Sequence, residues 1–232
     1  MKKYDTFLFD LDDTLLNFKA SEELSFKKTM ESINQTSMFE DLFDYYKREN
    51  KKLWDSFDRG EVSKDLLKVK RFQLLFDQFN IKSDPHEVSE YYLNSLPETV
   101  VLLKDALTLL EKLKSFAQVG IITNGIEYIQ KRRLAVSGID KLVDFICVSE
   151  ACGYAKPDIR FFEYTALNIK DFSKKTTLII GDRYEADILG GYNFGIDTCW
   201  YNHEGFSKDK PIHTFEINNL NELLKLLNLN EA

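Results

Sequence analysis

Three carboxylates crowd into four residues of the stretch YDTFLFDLDDTLLNF, where an apolar run ends abruptly at Asp10, Asp12 and Asp13. Like charges this close repel one another unless a cation sits among them. In a locally extended chain, residues two apart point the same way, so Asp10 and Asp12 can face one point with Thr14 just beyond. One carboxylate of such a pair can act as a nucleophile and form an acyl-phosphate. The other can move protons as general acid and base. A hard cation such as Mg²⁺ relieves the repulsion and prefers oxygen ligands. An acidic turn capping the next helix explains this stretch, taken alone, equally well.

Three later segments also carry polar groups directly after an apolar run. VGIITNG ends in Thr123, Asn124 and Gly125, whose hydroxyl and backbone N–H groups at a strand-to-helix turn suit a phosphate oxygen. The same residues make a good turn and helix N-cap, the simpler reading in isolation. GYAKPD places Lys156 before Pro157, which biases the lysine toward an extended conformation and can open the next helix. There it can neutralise a phosphate and a nucleophile together, although a lone lysine is usually solvated. LIIGDRYEADILGG places Asp182 after Gly181 and Asp187 five residues on, in the first turns of an expected helix. Asp182 suits a cation ligand. Asp187 can orient a metal-bound water, pair with Lys156, or simply complement a helix dipole.

The elements that must position these groups follow from hydrophobic periodicity. Strands are predicted over residues 4–9, 117–123, 145–149, 177–181, 198–201 and near 214–217. Helical patterns lie between most of them: VLLKDALTLLEKLKS, IEYIQKRRLAVSG with Gly138 as C-cap, IRFFEYTALNI, EADILGGYNFG and NLNELLKLLNL. Strand then helix, repeated, predicts a doubly wound, mostly parallel sheet covered by helices, an α/β Rossmann-like core. Residues 17–96 break the rhythm. They hold amphipathic helical patterns rich in aromatic residues and no convincing strand. An all-helical domain inserted after the first strand is expected there, with residues 1–16 and 97–232 forming the core. Its aromatics read chiefly as the centre of a small bundle.

Composition bounds the possibilities. The 232 residues are 44% hydrophobic and 30% charged, and 31 basic against 38 acidic residues leave a net charge of −7. That balance argues against nucleic-acid backbones and anionic membranes as main partners. No apolar stretch approaches the ~20 residues of a membrane span. Cys147, Cys152 and Cys199 are odd in number and lack metal-like pairing, as free thiols in a reducing cytoplasm would. His86, His203 and His213 cluster with no other ligand type and receive no chemical role.

Taken together, DLDDT, IITNG, Lys156 and GDRYEAD resemble, in order and spacing, the four motifs of the haloacid dehalogenase superfamily, over essentially the whole chain. The resemblance implies that Asp10 is the nucleophile attacking phosphorus. Asp12 protonates the leaving oxygen and then activates water against the aspartyl-phosphate. It implies that Thr123, the backbone at Asn124 and Lys156 hold the phosphoryl group. Asp10, Asp12 (through its backbone carbonyl) and Asp182 bind Mg²⁺, with Asp187 behind them. Asp13 stands where the family often has glycine and receives no role. The helical insert falls where the superfamily places its mobile cap, which excludes water and supplies specificity. KPDIRFFEYTAL and the segment from Thr198 onward look most like the pyrimidine 5′-nucleotidase branch that accepts non-standard nucleotides.

The expected activity is therefore Mg²⁺-dependent hydrolysis of a small phosphate monoester, a nucleoside 5′-monophosphate first. A phosphatase of sugar phosphates or phosphoglycolate and a phosphomutase share the four motifs. A metal-independent 2-haloacid dehalogenase lacks the acid/base carboxylate two residues after its nucleophile, so Asp12 and Asp182 speak against it. A non-catalytic phosphate-binding protein would not need every one of these catalytic residue types.

Overall fold

The computed structural model describes residues 4–227. The chain divides into two compact units, one being the segment Phe18–Val100 and the other the chain through Asn17 and from Val101 onward.

The second unit is built on six strands: β1 (Thr6–Phe9), β2 (Gln118–Thr123), β3 (Phe145–Val148), β4 (Thr177–Gly181), β5 (Asp197–Tyr201) and β6 (Phe215–Ile217). They form one sheet in the order β3-β2-β1-β4-β5-β6, and every pairing is parallel. All residues of β1 and β4 are buried. Burial on both faces explains why they read as continuous apolar runs rather than alternating ones. The architecture is a Rossmann-like, doubly wound α/β core. Successive strands step outward on one side from β1 to β3 and on the other from β4 to β6, which puts the topological switch point between β1 and β4. Phe9 is level with Ile121 of β2 and Ile180 of β4, so three carboxyl strand ends lie side by side. One face is filled by Leu8, Ile122, Cys147, Phe161, Phe162 and Ile179 among others.

Helices α1 (Phe18–Ser32), α2 (Phe39–Asp58), α3 (Lys64–Phe79) and α4 (Pro85–Ser95) make up the helical unit. Four fully buried rings from its four helices, Phe26, Tyr46, Phe72 and Tyr92, form its centre. Tyr46 lies 4.7 Å from Phe26 and 5.5 Å from Phe72 between ring centroids. Its core also holds polar groups that the periodicity does not announce. Asn50 donates to Glu22 at 2.8 Å, and the buried Arg71 guanidinium lies 4.5 Å from the Tyr92 ring.

The remaining helices belong to the sheet-containing unit: α5 (Ala106–Lys114), α6 (Glu127–Ser137), α7 (Ser149–Cys152), α8 (Ile159–Ala166), α9 (Gly190–Phe194) and α10 (Leu220–Leu226). Gly138 ends α6 at φ 78, a left-handed C-cap that glycine adopts without penalty. Pro157 does not open α8. Asp158 is the cap, accepting from the Arg160 N–H, and the helix begins at Ile159. The segment EADILGG departs from a regular α-helix. Tyr184–Leu189 forms a wider π-helical turn, and only then does α9 begin. No helix among the described residues is long and apolar enough to cross a membrane.

Candidate active site

Asp10 directly follows β1, and its N–H continues the ladder by donating to Ile180 O at 2.9 Å. This backbone bond fixes a buried carboxylate at the switch point. Lys156, 2% exposed, brings its ammonium to 2.6 Å from Asp10 Oδ1 and 2.6 Å from Asp187 Oδ1, and donates to Ile122 O at 2.9 Å. Three acceptors thus satisfy the three donors of one buried ammonium. The lysine itself is held by a reciprocal lock: its N–H donates to Asn124 Oδ1 at 2.9 Å, and Asn124 Nδ2 donates to Lys156 O at 2.8 Å.

Asp182 follows β4. Its N–H donates to Thr14 Oγ1 at 3.1 Å, the Thr14 hydroxyl lies 3.3 Å from Asp182 Oδ1, and the Trp200 indole donates to Asp182 O at 3.0 Å. Asp187, fully buried, projects from the π-helical turn and accepts from the Arg183 N–H through Oδ2 at 3.1 Å. A Cβ on Gly181 would stand 2.2 Å from Asp187 Oδ2, so only glycine admits this carboxylate so close to β4.

Carboxylate oxygens of Asp10, Asp182 and Asp187 lie within 4.8 Å of one another. Burial raises the Asp10 carboxyl to about 7 against the pull of Lys156, with the Asp187 charge adding to the rise. Burial and the neighbouring Asp10 and Asp187 charges push Asp182 well above the ordinary carboxylate range. Burial works against the Lys156 charge too, but Asp10 and Asp187 more than compensate, so it is held as ammonium. With all three acids ionised, three negative charges face one positive charge. The surplus and the all-oxygen donor set fit a hard divalent cation.

The Asp12 carboxylate is not part of this trio. Extended geometry suggests that Asp10 and Asp12 face one point. Instead, Asp12 Oδ1 accepts from Arg133 Nη1 at 2.5 Å and Oδ2 from Gln130 Nε2 at 2.7 Å. Gln130 and Arg133 were not singled out by the motifs. Their signal lay in α6, where both occupy the buried stripe with Ile126, Ile129 and Leu134. Polar residues at core positions of an amphipathic helix need partners.

Thr123 Oγ1 accepts from Gly125 N and from Gln130 Nε2, each at 3.0 Å, which leaves its own O–H to donate. Thr123 does not cap α6; Ile126 stands at that position and makes no side-chain cap. Asp13 has φ 56, a left-handed conformation that aspartate tolerates and glycine favours.

Residues 7–201 match the family model for haloacid dehalogenase-like hydrolases. The chain is 37% identical over 231 residues to the HAD-hydrolase YfnB of Bacillus subtilis, covering 99% of this chain and 97% of that protein. It is 33% identical to the pyrimidine 5′-nucleotidase YjjG of Escherichia coli, covering 97% and 98% of the two chains. The pyrimidine 5′-nucleotidase PynA of Streptococcus pneumoniae shares 36% identity over 98% of this chain and 96% of its own. A crystal structure of YfnB bound to magnesium superposes with a TM-score of 0.91 at 36% identity, covering 98% of this chain and all of that one. The chain belongs to the haloacid dehalogenase-like hydrolase family.

Proposed function

We propose that this phosphoric monoester hydrolase removes phosphate from nucleoside 5′-monophosphates, pyrimidine nucleotides first, through an aspartyl-phosphate on Asp10. The observation that carries the chemistry is the buried Asp10 carboxylate at the switch point, gripped by Lys156 with Asp182 and Asp187 beside it. The nucleotide preference is supported by likeness, over nearly the whole chain, to two pyrimidine 5′-nucleotidases.

Asp10, Asp182 and the backbone carbonyl of Asp12 would hold Mg²⁺, with Asp187 behind them. When bound, the ion would draw charge from the phosphoryl oxygens. The chain's own groups account for the rest. An Asp10 carboxylate oxygen bonds to phosphorus as the ester P–O bond breaks, and Asp12 gives its proton to the departing alkoxide oxygen. Asp12 then takes a proton from water as the water oxygen bonds to phosphorus and the Asp10–phosphorus bond breaks. Inorganic phosphate leaves, with Asp10 again a carboxylate and Asp12 again the carboxylic acid that began the cycle. The Thr123 hydroxyl and the backbone at Asn124 hold the phosphoryl group, and the Lys156 ammonium joins them by exchanging one of its acceptors for a phosphoryl oxygen, so catalysis rests on positioning and charge neutralisation. Substrate selection we assign to the helical unit Phe18–Val100.

Phosphate release from UMP, dUMP, dTMP, sugar phosphates and phosphoglycolate, with Mg²⁺ and with EDTA, tests the reading. Mg²⁺-dependent preference for the pyrimidine nucleotides, lost in Asp10→Asn, is expected. Wild-type turnover in Asp10→Asn would refute the mechanism. Preference for a sugar phosphate or phosphoglycolate would leave the mechanism standing and refute the substrate class.

A further inference from the structure

The proposed chemistry requires the Asp12 carboxylate to meet one particular oxygen, that of the leaving alcohol. Resting on that reading, we propose that Arg133 and Gln130 of α6 are positioning residues for Asp12. They fix its carboxylate plane toward the leaving-group oxygen and tie it to the hydroxyl of Thr123.

Each Asp12 oxygen has its own donor, Oδ1 from Arg133 at 2.5 Å and Oδ2 from Gln130 at 2.7 Å. Two donors on two different oxygens fix both the place and the rotation of a carboxylate, which one contact cannot do. Each oxygen keeps a second lone-pair direction for the travelling proton. The Asp12 side chain is 30% exposed, so it can be approached, whereas that of Arg133 is 1% exposed.

Gln130 is fixed in turn. Its Oε1 accepts from Arg133 at 2.8 Å, and its Nε2 donates to Thr123 Oγ1 at 3.0 Å as well as to Asp12. That pattern assigns the amide orientation, since its reversal would set an oxygen against a carboxylate and an amine against a guanidinium. Positions 130 and 133 are three apart and share one face of α6. Gly125 makes room for Gln130, because a Cβ there would stand 2.2 Å from Gln130 Nε2. One network therefore joins the acid/base carboxylate to the end of β2.

A nucleoside alkoxide is a poor leaving group and needs the proton from Asp12. A p-nitrophenolate leaves with little help. Loss of positioning must therefore act selectively on the first. kcat/KM, which reports events through formation of the aspartyl-phosphate, would be measured with Mg²⁺ for UMP and p-nitrophenyl phosphate in wild type, Gln130→Met, Arg133→Met and Arg133→Lys. For Arg133→Met, kcat/KM for UMP is expected to fall about tenfold to hundredfold, with p-nitrophenyl phosphate within about threefold of wild type; for Gln130→Met, which also loosens Thr123, the UMP loss is expected to exceed the p-nitrophenyl phosphate loss by about tenfold. Arg133→Lys, which keeps a donor, is expected to recover part of the UMP loss. Equal proportional losses on both esters would overturn the proposal and mark the network as a folding element only. Unchanged UMP hydrolysis in Gln130→Met and Arg133→Met would overturn it as well. Should Arg133→Met fail to fold, Gln130→Met and Arg133→Lys decide the matter by the same comparison. A wild-type chain that hydrolyses neither ester with Mg²⁺ would overturn the underlying phosphatase reading and this proposal with it.

Discussion

Asn124 and Lys156 hold each other by two hydrogen bonds, side-chain amide to backbone in both directions, at 2.9 and 2.8 Å. The amide of one loop thus sets the height of the ammonium carried by another. Asn124→Ala removes both bonds and leaves a buried N–H and C=O without these partners, at a cost of about 1–3 kcal/mol each before relaxation. Displacement of the ammonium should lower phosphatase turnover by about 10²-fold. Urea unfolding and steady-state kinetics on one preparation check both effects, and wild-type kcat would show that the lock does not position Lys156.

Lys156→Met preserves much of the side-chain length but strips the charge from between Asp10 and Asp187. Breaking a buried ion pair by removing one partner costs about 3–5 kcal/mol, because the other charge stays buried without compensation. Chemical denaturation should show this loss at neutral pH. Because the Asp10 carboxyl, raised by burial, can be neutralised by a proton, the deficit should shrink in acid.

Gly181→Ala places a methyl group 2.2 Å from Asp187 Oδ2, which Lys156 and the Arg183 N–H already hold. Overpacking of this kind costs about 1–3 kcal/mol. Mg²⁺-dependent turnover should fall with it, since Asp187 cannot move without releasing Lys156. As a comparison, Gly153, unlike Gly181, is left-handed, at φ 78, and a Cβ there meets nothing within 4 Å. Gly153→Ala should therefore show backbone strain alone, about 1 kcal/mol, with kcat retained.

Stability should depend on pH and metal together. Burial raises Asp10 to about 7 and Asp182 well above its ordinary value. A carboxyl raised on folding contributes stability that is fully present below its unfolded pKa of about 4 and is lost as pH rises through the folded value. The metal-free protein should consequently lose Tm between pH 5 and pH 8 through these two groups. A cation displaces their protons, so added Mg²⁺ should raise Tm more at pH 8 than at pH 5.5. Differential scanning calorimetry in EDTA and in Mg²⁺ at the two pH values measures this. An equal Mg²⁺ increment at both would show that the acids are ionised without the metal.

The linear order of residues determined much of the site. Asp10, Thr123 and Asp182 each close an apolar run that ends at a strand's carboxyl end, and Lys156 follows shortly after β3. Hydrophobic periodicity is a local property, so the strands, most helices and the helical character of residues 17–96 can be read within windows of a few turns. The partners of these groups could not be read so. Asp12 meets Arg133 across 121 residues, and Asn124 meets Lys156 across 32. Those pairings depend on the parallel sheet, which sets the carboxyl end of β1 beside that of β2 and the end of β2 beside that of β3. Nor does spacing distinguish the π-helical turn at Tyr184–Leu189 from an α-helix. The turn accompanies a carboxylate packed against Gly181 and bonded to Lys156 and Arg183. Sequence by itself determined which residues stand at the strand ends. Tertiary structure decided which acid faces the lysine and which the arginine, because buried polar groups take their partners from whatever the packed sheet and helices bring within hydrogen-bond reach.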